Sequence, residues 1–331
     1  MTHPERMSEA IDIAATARLV AAPNPWVGCV VVCTDGTVFR GATEAPGQRH
    51  AERVALDLAI AAGADTTGAT GYTTLEPCSH HGRTPPCTDA LIAAKVATVV
   101  SALADPDPRV AGSGFDRLRA AGIAVVEGVG TDDAAEQLAP YLHHRRTGRP
   151  LVVLKLAATL DGRTAAADGT SQWITGPEAR ASVHRRRAES GAVVVGAGTV
   201  RSDDPSLTVR HVEGPDPLRV VLGTAPPDAQ VHPCLEWHGP LEALLDHLGG
   251  LGVLQVLVEG GATVAASFHR ERLVDRYLFH LAPALMGGDD GTAMLRGLGA
   301  ATMAEVWRGR IEAVRMLGSD LEIELVPHPA G

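Results

Sequence analysis

Residues 75–87 read LEPCSHHGRTPPC, and they follow an upstream triplet, HAE, that begins at His50. Together the two stretches supply one imidazole, two thiols and a carboxylate. Two thiolates and an imidazole fill three corners of a tetrahedral zinc site, and in catalytic sites a water molecule takes the fourth corner. We therefore predict that His50, Cys78 and Cys87 bind Zn²⁺ and that Glu52 stays off the metal. The alternative is that both cysteines are ordinary buried thiols, as free cysteines commonly are.

The order of these residues indicates hydrolytic deamination. His-x-Glu followed by Pro-Cys and a second Cys is the signature of zinc-dependent base deaminases. In such sites zinc lowers the pKa of its water toward neutrality, and a nearby carboxylate carries protons from that water to the departing ammonia. We therefore predict that Glu52 is the proton shuttle. A zinc-binding module without catalysis would keep the ligands and lose the shuttle, yet Glu52 is present.

The spacing of the two cysteines departs from the usual C-x-x-C, because eight residues separate Cys78 from Cys87. This longer form, PCSHHGRTPPC, resembles the metal loop of the bifunctional deaminase–reductases of riboflavin biosynthesis, the RibD/RibG family. The segment 23–28, PNPWVG, resembles the opening motif of that family. The resemblance implies that the carboxamide of Asn24 contacts a pyrimidine, to which it offers both a donor and an acceptor. Without the resemblance, Asn24 reads as a plain turn former.

The resemblance also implies a role for the polar side chains of the metal loop. It implies that His80, His81 and Arg83 help to form the pocket for the substrate ring and its phosphoribosyl arm; the alternative is a solvated polar loop. One departure concerns the residues after HAE, where the family continues with Val-His and this chain has Arg53-Val54. Arg53 is one position away from the missing histidine, so the phosphate contacts of this half stay open.

Composition and charge limit the possible partners and location. The chain has 331 residues, which predicts two domains. Its net charge is -10 without a long basic run, which argues against a nucleic-acid partner. The polar opening residues predict no signal peptide, and no apolar run approaches the ~20 residues that would predict a membrane span. Cys29, Cys33 and Cys234 are expected to be free thiols in a cytoplasmic protein.

The first predicted domain covers residues 1–147 and resembles the α-β-α layers of cytidine deaminases. The predicted helices lie at 8–20, 51–62, 86–95, 114–121 and 134–146, and the predicted strands at 27–32, 38–40, 69–75, 98–102 and 123–126. Cys87 is then near the start of a helix, a location that favours thiolate over thiol. Residues 143–150, HHRRTGRP, are predicted to form a solvated linker, with the domain boundary near Thr147.

The second predicted domain covers residues 148–331 and is an α/β sheet with crossover connections. The predicted strands lie at 151–157, 192–195, 218–222 and 254–258, and helices at 178–189 and 260–270 alternate with them, with a further element at 241–248. Ligands of such sheets bind beyond the carboxyl ends of the strands. Gly260-Gly261 before a helix suits a pyrophosphate, although plain turn chemistry is the commoner cause. No G-x-G-x-x-G follows the first strand, so an ordinary Rossmann fingerprint is absent from the sequence.

Four segments of this half resemble the reductase half of the RibD/RibG family, whose fold is similar to dihydrofolate reductase: 155–163, 171–175, 199–210 and 258–261. The resemblance implies that NADPH contacts Ala157, Trp173, Thr199, Asp203, Thr224, Gly261, Ala262 and Thr263. It implies that the substrate contacts Ser171, Arg187, Leu207, Arg210 and Glu259. Arg187 and Arg210 suit phosphate clamps, because guanidinium binds phosphate bidentately, although Arg187 could also lie on a solvated helix face. Gly223 stands where many relatives carry Asp, a departure that bears on cofactor fit.

The resemblance of both halves implies one bifunctional enzyme. The first half would deaminate a diaminopyrimidinone that carries a phosphoribosylamino arm. The second half would use NADPH to reduce the ribose to ribitol through an open-chain imine, with Lys155 or Asp203 assisting proton delivery. We expect no membrane partner and a homodimer or homotetramer. A nucleic-acid deaminase would leave the second domain without a role, and a chain with an inactive reductase would need a damaged cofactor site.

Overall fold

A computed structural model of the chain describes residues 1–82, 84–108 and 110–328. Arg83, which is predicted to help form the substrate pocket, lies outside the described residues. The chain divides into two compact units, Met1–Gly148 and Arg149–Gly331. Each unit has its own sheet.

Unit 1 alternates helices and strands along the chain. Its helices are α1 (His3–Thr16), α2 (Ala51–Ala61), α3 (Cys87–Ala93), α4 (Ser113–Ala120), α5 (Thr131–Gln137) and α6 (Ala139–Thr147). Its strands are β1 (Gly28–Val32), β2 (Val38–Ala42), β3 (Thr70–Thr73), β4 (Thr98–Ser101) and β5 (Ala124–Glu127).

The five strands of unit 1 form one mixed sheet in the order β2-β1-β3-β4-β5. Strand β1 is antiparallel to β2 and β3, whereas β3, β4 and β5 are parallel. Met7 and Ala10 of α1 pack with Val30, Tyr72 and Val100 of the sheet in a buried apolar cluster. Because β3 and β4 are parallel, the segments that follow them leave the sheet at the same edge, and the metal loop is one of these segments.

Two predicted helices of unit 1 have different bounds in the structure. Helix α1 begins five residues before the predicted start, since Thr2 and Glu5 form a capping box. The predicted helix 134–146 is two helices that meet at Leu138, with Pro140 in the first turn of α6. Proline has no N–H and tolerates only the first turn of a helix, which accounts for the break. The predicted linker at 143–150 is also wrong in part, because the basic residues up to Thr147 continue α6.

Unit 2 is built around a larger sheet. Its helices are α7 (Pro177–Ala188), α8 (Ala197–Asp203), α9 (Leu241–Gly250) and α10 (Ala262–Arg270). Its strands are β6 (Leu151–Thr159), β7 (Arg163–Ala165), β8 (Ala192–Gly196), β9 (Leu218–Leu222), β10 (Leu235–Trp237), β11 (Gln255–Val258), β12 (Arg276–Ala282), β13 (Thr292–Ala293), β14 (Gly309–Leu317) and β15 (Asp320–Pro327).

The main sheet of unit 2 has the strand order β10-β9-β8-β11-β6-β12-β15-β14. The first six strands are parallel, and β15 and β14 join them as an antiparallel hairpin. Both faces of the parallel part are covered. Leu244 and Phe268 of the helices pack against Leu154 on one face, and Val193 and Val221 belong to a separate buried cluster. Strands buried on both faces account for the continuous apolar runs of this half.

Several elements of unit 2 were not predicted from the sequence. Helix α8 contains Gly198, which disfavours a helix in isolation. Strand β14 carries charged and apolar side chains on an exposed edge, so its pattern is not that of a buried strand. Among the described residues, no helix combines the length and apolar character needed to cross a bilayer.

Candidate active sites

The three predicted zinc ligands meet at one point of unit 1. His50 Nδ1 lies 3.7 Å from Cys78 Sγ and 3.3 Å from Cys87 Sγ. All three ligand atoms lie within 4.8 Å of one another. A tetrahedral ion with Zn–S near 2.3 Å and Zn–N near 2.0–2.1 Å places such atoms about 3.6 Å apart. The residues present therefore fit a zinc ion.

Two of the three ligands lie at the start of a helix, and the third lies in a loop. His50 is the N-cap residue of α2, and Cys87 is the first residue of α3. Cys78 lies in the loop between β3 and α3. The second ring nitrogen of His50, Nε2, faces Thr84 Oγ1 at 3.3 Å. That contact orients the ring and leaves Nδ1 for a metal, as is common for ligating histidines.

The two thiols are not equivalent. The backbone N–H of Cys87 donates to Cys78 Sγ at 3.3 Å. The Cys87 side chain is the main cause that lowers the pKa of Cys78 to about 4, and the same contact, with burial, raises the pKa of Cys87. The first N–H of α3 therefore points to the Cys78 sulfur, and a favoured thiolate at Cys87 stays a prediction.

Glu52 is buried in the first turn of α2, with 3% of its surface exposed. Burial, followed by the nearby Cys78 sulfur, raises the pKa of its carboxyl group. A carboxyl group whose pKa lies closer to neutrality can both accept and release a proton. Glu52 therefore has the environment that a proton shuttle requires.

A cavity opens beside this cluster, and several predicted residues line it. Asn24 and His80 line the cavity together with His50, Glu52 and Cys78. Arg53, which departs from the family pattern, does not line this cavity. Its Nε lies 2.8 Å from Asp57 Oδ1, and it lines a different cavity, with Pro85 and Pro86. The predicted zinc ligands His50 and Cys87 also line that cavity, so a contact of Arg53 with the substrate phosphate stays open.

The far wall of the cavity was not predicted from the sequence. Asp105, Asp107, Tyr141 and Arg145 line it, and the two aspartates follow β4, at the sheet edge where the metal loop follows β3. That position was readable in principle, because polar residues after parallel strands gather at one edge.

Glu76 ties this wall to the metal loop. Its Oε2 accepts N–H bonds from Asp105 at 3.1 Å and Gly112 at 2.9 Å, and its Oε1 accepts one from Gly114 at 2.8 Å. The carboxylate is only 4% exposed. A buried carboxylate that accepts three backbone N–H bonds fixes the loop that carries them. Glu76 is therefore a positioning residue for the far wall.

We expect Glu76→Gln to lower the free energy of unfolding by about 1–3 kcal/mol, because an amide group would leave buried N–H donors without an acceptor. Chemical denaturation of the zinc-loaded protein measures this difference. Glu127→Gln is the matched control, since Glu127 is exposed and pairs only with Arg119 among the described residues. Equal stability of the two variants would show that Glu76 does not hold the loop.

Unit 2 gathers most of its predicted residues around a second cavity. The predicted residues that line it are Ala157, Ser171, Trp173, Arg187, Thr199, Asp203, Leu207, Arg210 and Glu259. Ala157 belongs to β6, and Glu259 directly follows β11. The cavity therefore lies at the carboxyl edge of the parallel strands, where ligands of such sheets bind.

The remaining predicted cofactor residues lie at the same edge. Thr224 follows β9, and Ala262 and Thr263 begin α10. The Gly261 N–H donates to Thr199 Oγ1 at 3.1 Å. A Cβ at Gly260 would lie 2.5 Å from the Val264 side chain, so only glycine allows this approach. The open N–H groups at the start of α10 fit the pyrophosphate of a dinucleotide.

Arg187 makes a buried ion pair that was not predicted from the sequence. Its Nε and Nη2 bind the two oxygens of Glu259 at 2.6 and 2.9 Å, and its Nη1 donates to the Thr208 carbonyl at 3.2 Å. Three of the five guanidinium N–H groups are thus used within the protein and two remain, so the contact of Arg187 with the substrate stays a prediction. Removing one partner of a buried ion pair strongly destabilises a protein. Loss of activity in Arg187→Ala would therefore report folding as much as ligand binding.

The loop 206–211 is attached to α7 through a residue that was not predicted from the sequence. His184 Nδ1 accepts the backbone N–H of Arg210 at 3.2 Å. Burial, followed by the charge of Arg187, lowers the pKa of His184 to about 4, so the ring is a neutral acceptor at neutral pH. Leu207 in this loop has a left-handed φ of 55° and a buried side chain. Such strained backbone is typical of functional loops.

The two candidate proton donors differ in environment. Lys155 lies on β6 and lines the second cavity. Burial lowers the pKa of its ammonium group, and the Glu259 carboxylate opposes that shift. Asp203 is exposed at the last position of α8. Desolvation and a charged neighbour tune the acidity of Lys155, as is common for groups at functional sites, and its role in proton delivery stays a prediction.

Comparisons with known proteins agree with both halves. Residues 1–103 match the family model for the cytidine and deoxycytidylate deaminase zinc-binding region, and residues 150–321 match the RibD C-terminal domain. The riboflavin biosynthesis protein RibD of Mycobacterium tuberculosis is 42% identical, with 97% of this chain and 96% of that protein covered. RibD of Escherichia coli is 38% identical, with 97% and 98% covered.

Solved structures give the same result over the full length. RibD of Acinetobacter baumannii is similar with a TM-score of 0.92 at 38% identity, covering 98% of this chain and 99% of that one. A diaminohydroxyphosphoribosylaminopyrimidine deaminase/5-amino-6-(5-phosphoribosylamino)uracil reductase of Thermotoga maritima is similar with a TM-score of 0.88 at 33% identity, with 98% and 99% covered.

These matches confirm the predicted fold class, a cytidine-deaminase-like domain followed by a dihydrofolate-reductase-like domain. They also confirm zinc and NADPH as the cofactors of the two domains. The chain belongs to the RibD family, the bifunctional deaminase–reductases of riboflavin biosynthesis.

Proposed function

We propose that this chain catalyses two consecutive reactions on one small molecule. The first removes an amino group from 2,5-diamino-6-(5-phosphoribosylamino)pyrimidin-4-one, and the second reduces the ribosyl arm of the product to ribityl with NADPH. The observation that carries the proposal is the meeting of His50, Cys78 and Cys87 beside the buried Glu52. The name of the similar Thermotoga maritima protein states the same two activities.

In the deaminase half, the residues divide into metal ligands, a proton carrier and a ring contact. His50, Cys78 and Cys87 would hold zinc, which when bound supplies a Lewis acid that lowers the pKa of water. Glu52 takes a proton from the attacking water and delivers it toward the leaving ammonia. Asn24, which lines the same cavity, offers a donor and an acceptor to the pyrimidine edge.

In the reductase half, NADPH supplies the hydride when bound, and the protein orients it. Ala157, Trp173, Thr199 and Asp203 line the cavity that would hold the cofactor. The start of α10 would supply N–H groups to its pyrophosphate. We propose that Lys155 delivers the proton to the nitrogen of the open-chain imine when its carbon receives the hydride. Arg187 holds Glu259 through two hydrogen bonds, and both residues line the cavity in which they would contact the substrate arm.

Stepwise addition tests the whole proposal. The zinc-loaded protein is incubated with the diamino substrate, NADPH is then added, and each product is identified by its mass. We expect ammonia release before NADPH is present and a gain of two hydrogens only afterwards. Deamination without NADPH oxidation would mean that the reductase half is inactive. Failure to deaminate would overturn the assignment of the first half.

We expect Cys87→Ser to lower the zinc content of the purified protein, because an alcohol replaces one of the two thiolate ligands. Elemental analysis after dialysis against a weak chelator measures this change. Cys33→Ser is the matched control, since Cys33 is buried but lies between β1 and β2, outside the ligand cluster. Full zinc occupancy in Cys87→Ser would point to another ligand.

We also propose that the protein acts in the cytoplasm as a homodimer or homotetramer. The support for the location is that all five cysteines, each within the described residues, are free of disulfides. The support for the assembly is the exposed edge strand β14, on which Ile311, Val314 and Met316 are more than half exposed. Light scattering of the purified protein measures its assembly.

A further inference from the structure

The far wall of the deaminase cavity carries a cation that has no role in the two reactions as proposed. Arg145 lines the cavity from the last turns of α6. Among the described residues that line this cavity, Arg145 is the one arginine or lysine, whereas Glu52, Glu76, Asp105 and Asp107 are carboxylates. Ionised carboxylates in a cavity repel an anionic ligand unless a nearby cation offsets their charge.

Two of the four carboxylates, those of Glu76 and Asp105, are held by hydrogen bonds from the protein. Glu76 accepts three backbone N–H bonds. Asp105 accepts the Tyr141 hydroxyl at 3.1 and 3.2 Å and the backbone N–H of Asp107 at 2.9 Å. These bonds fix where the negative charges lie. Among the described residues that line the cavity, the guanidinium group of Arg145 is then the side chain that can attract an anionic part of a ligand.

The guanidinium group of Arg145 is held by a cation–π contact with Tyr141 and by the charge of Asp107. Its guanidinium carbon lies 5.0 Å from the centre of the Tyr141 ring, and its Nε lies 3.7 Å from Asp107 Oδ2. Its side chain is 24% exposed, so it stays in reach of a ligand. A guanidinium group over an aromatic ring is held by a cation–π contact, and its planar fork of N–H donors suits an anionic ligand.

Two nitrogen atoms of side chains that line this cavity lack a hydrogen-bond partner. Arg145 Nε and His80 Nδ1 are buried, and neither makes a hydrogen bond with any described residue. One belongs to α6 and the other to the metal loop. Buried nitrogen atoms without partners are uncommon in folded proteins. An acceptor group on a bound ligand would supply the missing hydrogen bonds.

We propose that Arg145 is the anion subsite of the deaminase cavity, with Tyr141 as its platform, and that it binds the phosphate of the substrate arm. The inference rests on the proposed function, because that function supplies a phosphorylated sugar arm on the ring. Guanidinium binds phosphate through paired N–H bonds. Arg145 therefore distinguishes the phosphorylated substrate from the same molecule without its phosphate.

Deamination of two substrates by the zinc-loaded full chain tests this inference. Ammonia release is measured with the phosphorylated substrate and with the same compound after phosphatase treatment. We expect Arg145→Gln to raise KM for the phosphorylated substrate about tenfold or more, with kcat nearly unchanged, because a charge-assisted contact is lost. KM for the dephosphorylated compound should not change. Inorganic phosphate should compete less well in the variant.

Arg146→Gln is the matched control, because it removes the same charge from the next, exposed position of α6. It should behave as the wild type does. Arg145→Lys, which keeps a charge and loses the planar fork, should raise KM less than Arg145→Gln and guards against misfolding of that variant. An unchanged KM in both Arg145 variants, or an equal rise for both substrates, would overturn the inference.

Failure of the proposed function gives a different result. If the wild type deaminates neither compound, the reaction is wrong and the subsite is tested by titration of inorganic phosphate. In that case Arg145→Gln should bind one phosphate fewer than Arg146→Gln. The same number of bound phosphates in the two variants would refute the subsite by itself.

Discussion

Replacing Glu52 by Gln is expected to reduce the rate of ammonia release by about 10²- to 10⁴-fold, which is the usual contribution of a positioned acid–base group. Glutamine has almost the same shape as glutamate, yet it cannot accept a proton. Glu52 is 3% exposed in the first turn of α2, so no water-borne base easily takes its place. The variant separates proton transfer from metal binding, because Glu52 is not part of the ligand cluster.

Zinc content and the second reaction are the controls for this prediction. Elemental analysis should find the same zinc in Glu52→Gln as in the wild type. NADPH oxidation with the deaminated intermediate should be unaffected, because that reaction belongs to unit 2. Glu127→Gln removes an exposed carboxylate from the same unit and should deaminate normally. Deamination at the wild-type rate in Glu52→Gln would remove Glu52 from the mechanism.

Replacing Lys155 by Met is expected to reduce the rate of NADPH oxidation by about 10²-fold or more while ammonia release continues. The side chain lines the cavity of unit 2 at the carboxyl end of the sheet. Burial lowers the pKa of its ammonium group, which makes it a stronger acid than an exposed lysine. Because the donor must be protonated, the reductase rate of the wild type should fall as pH rises through this lowered pKa.

Two further variants decide between Lys155 and Asp203 as the proton donor. Asp203→Asn should keep most of the reductase rate and its pH profile if Lys155 is the donor. Lys95→Met is the matched control, since Lys95 is exposed in unit 1 and is the other of the two lysines in the chain. A larger loss in Asp203→Asn than in Lys155→Met would reverse the assignment. An unchanged pH profile in Lys155→Met would also contradict it.

The two cavities use the same architectural rule with different residues. In each unit, polar residues follow parallel strands and meet at one edge of the sheet. Unit 1 places a metal cluster there, whereas unit 2 places a buried Arg187–Glu259 pair and the start of α10. Parallel strands direct their carboxyl ends the same way, so residues distant in sequence become neighbours without long loops.

Much of this protein was determined by the sequence alone. The residue types and spacing of His50, Glu52, Cys78 and Cys87 indicated the metal and the reaction class, since few other chemistries need that set. Apolar periodicity placed most strands of the parallel sheets, because burial on both faces demands continuous apolar runs. The family resemblance then implied the cofactor and most residues that line the second cavity.

Only the tertiary structure decided which partner each polar side chain takes. Glu76 binds N–H groups 29 to 38 residues away, Arg187 turns to Glu259 rather than to open solvent, and Arg145 reaches the deaminase cavity from the end of α6. Sequence patterns report local periodicity and burial, but hydrogen bonds and ion pairs form between segments that only the folded chain brings within about 3 Å. For this reason the sequence predicted the chemistry, whereas the partners of Glu76, Arg187 and Arg145 were identified only from the folded structure.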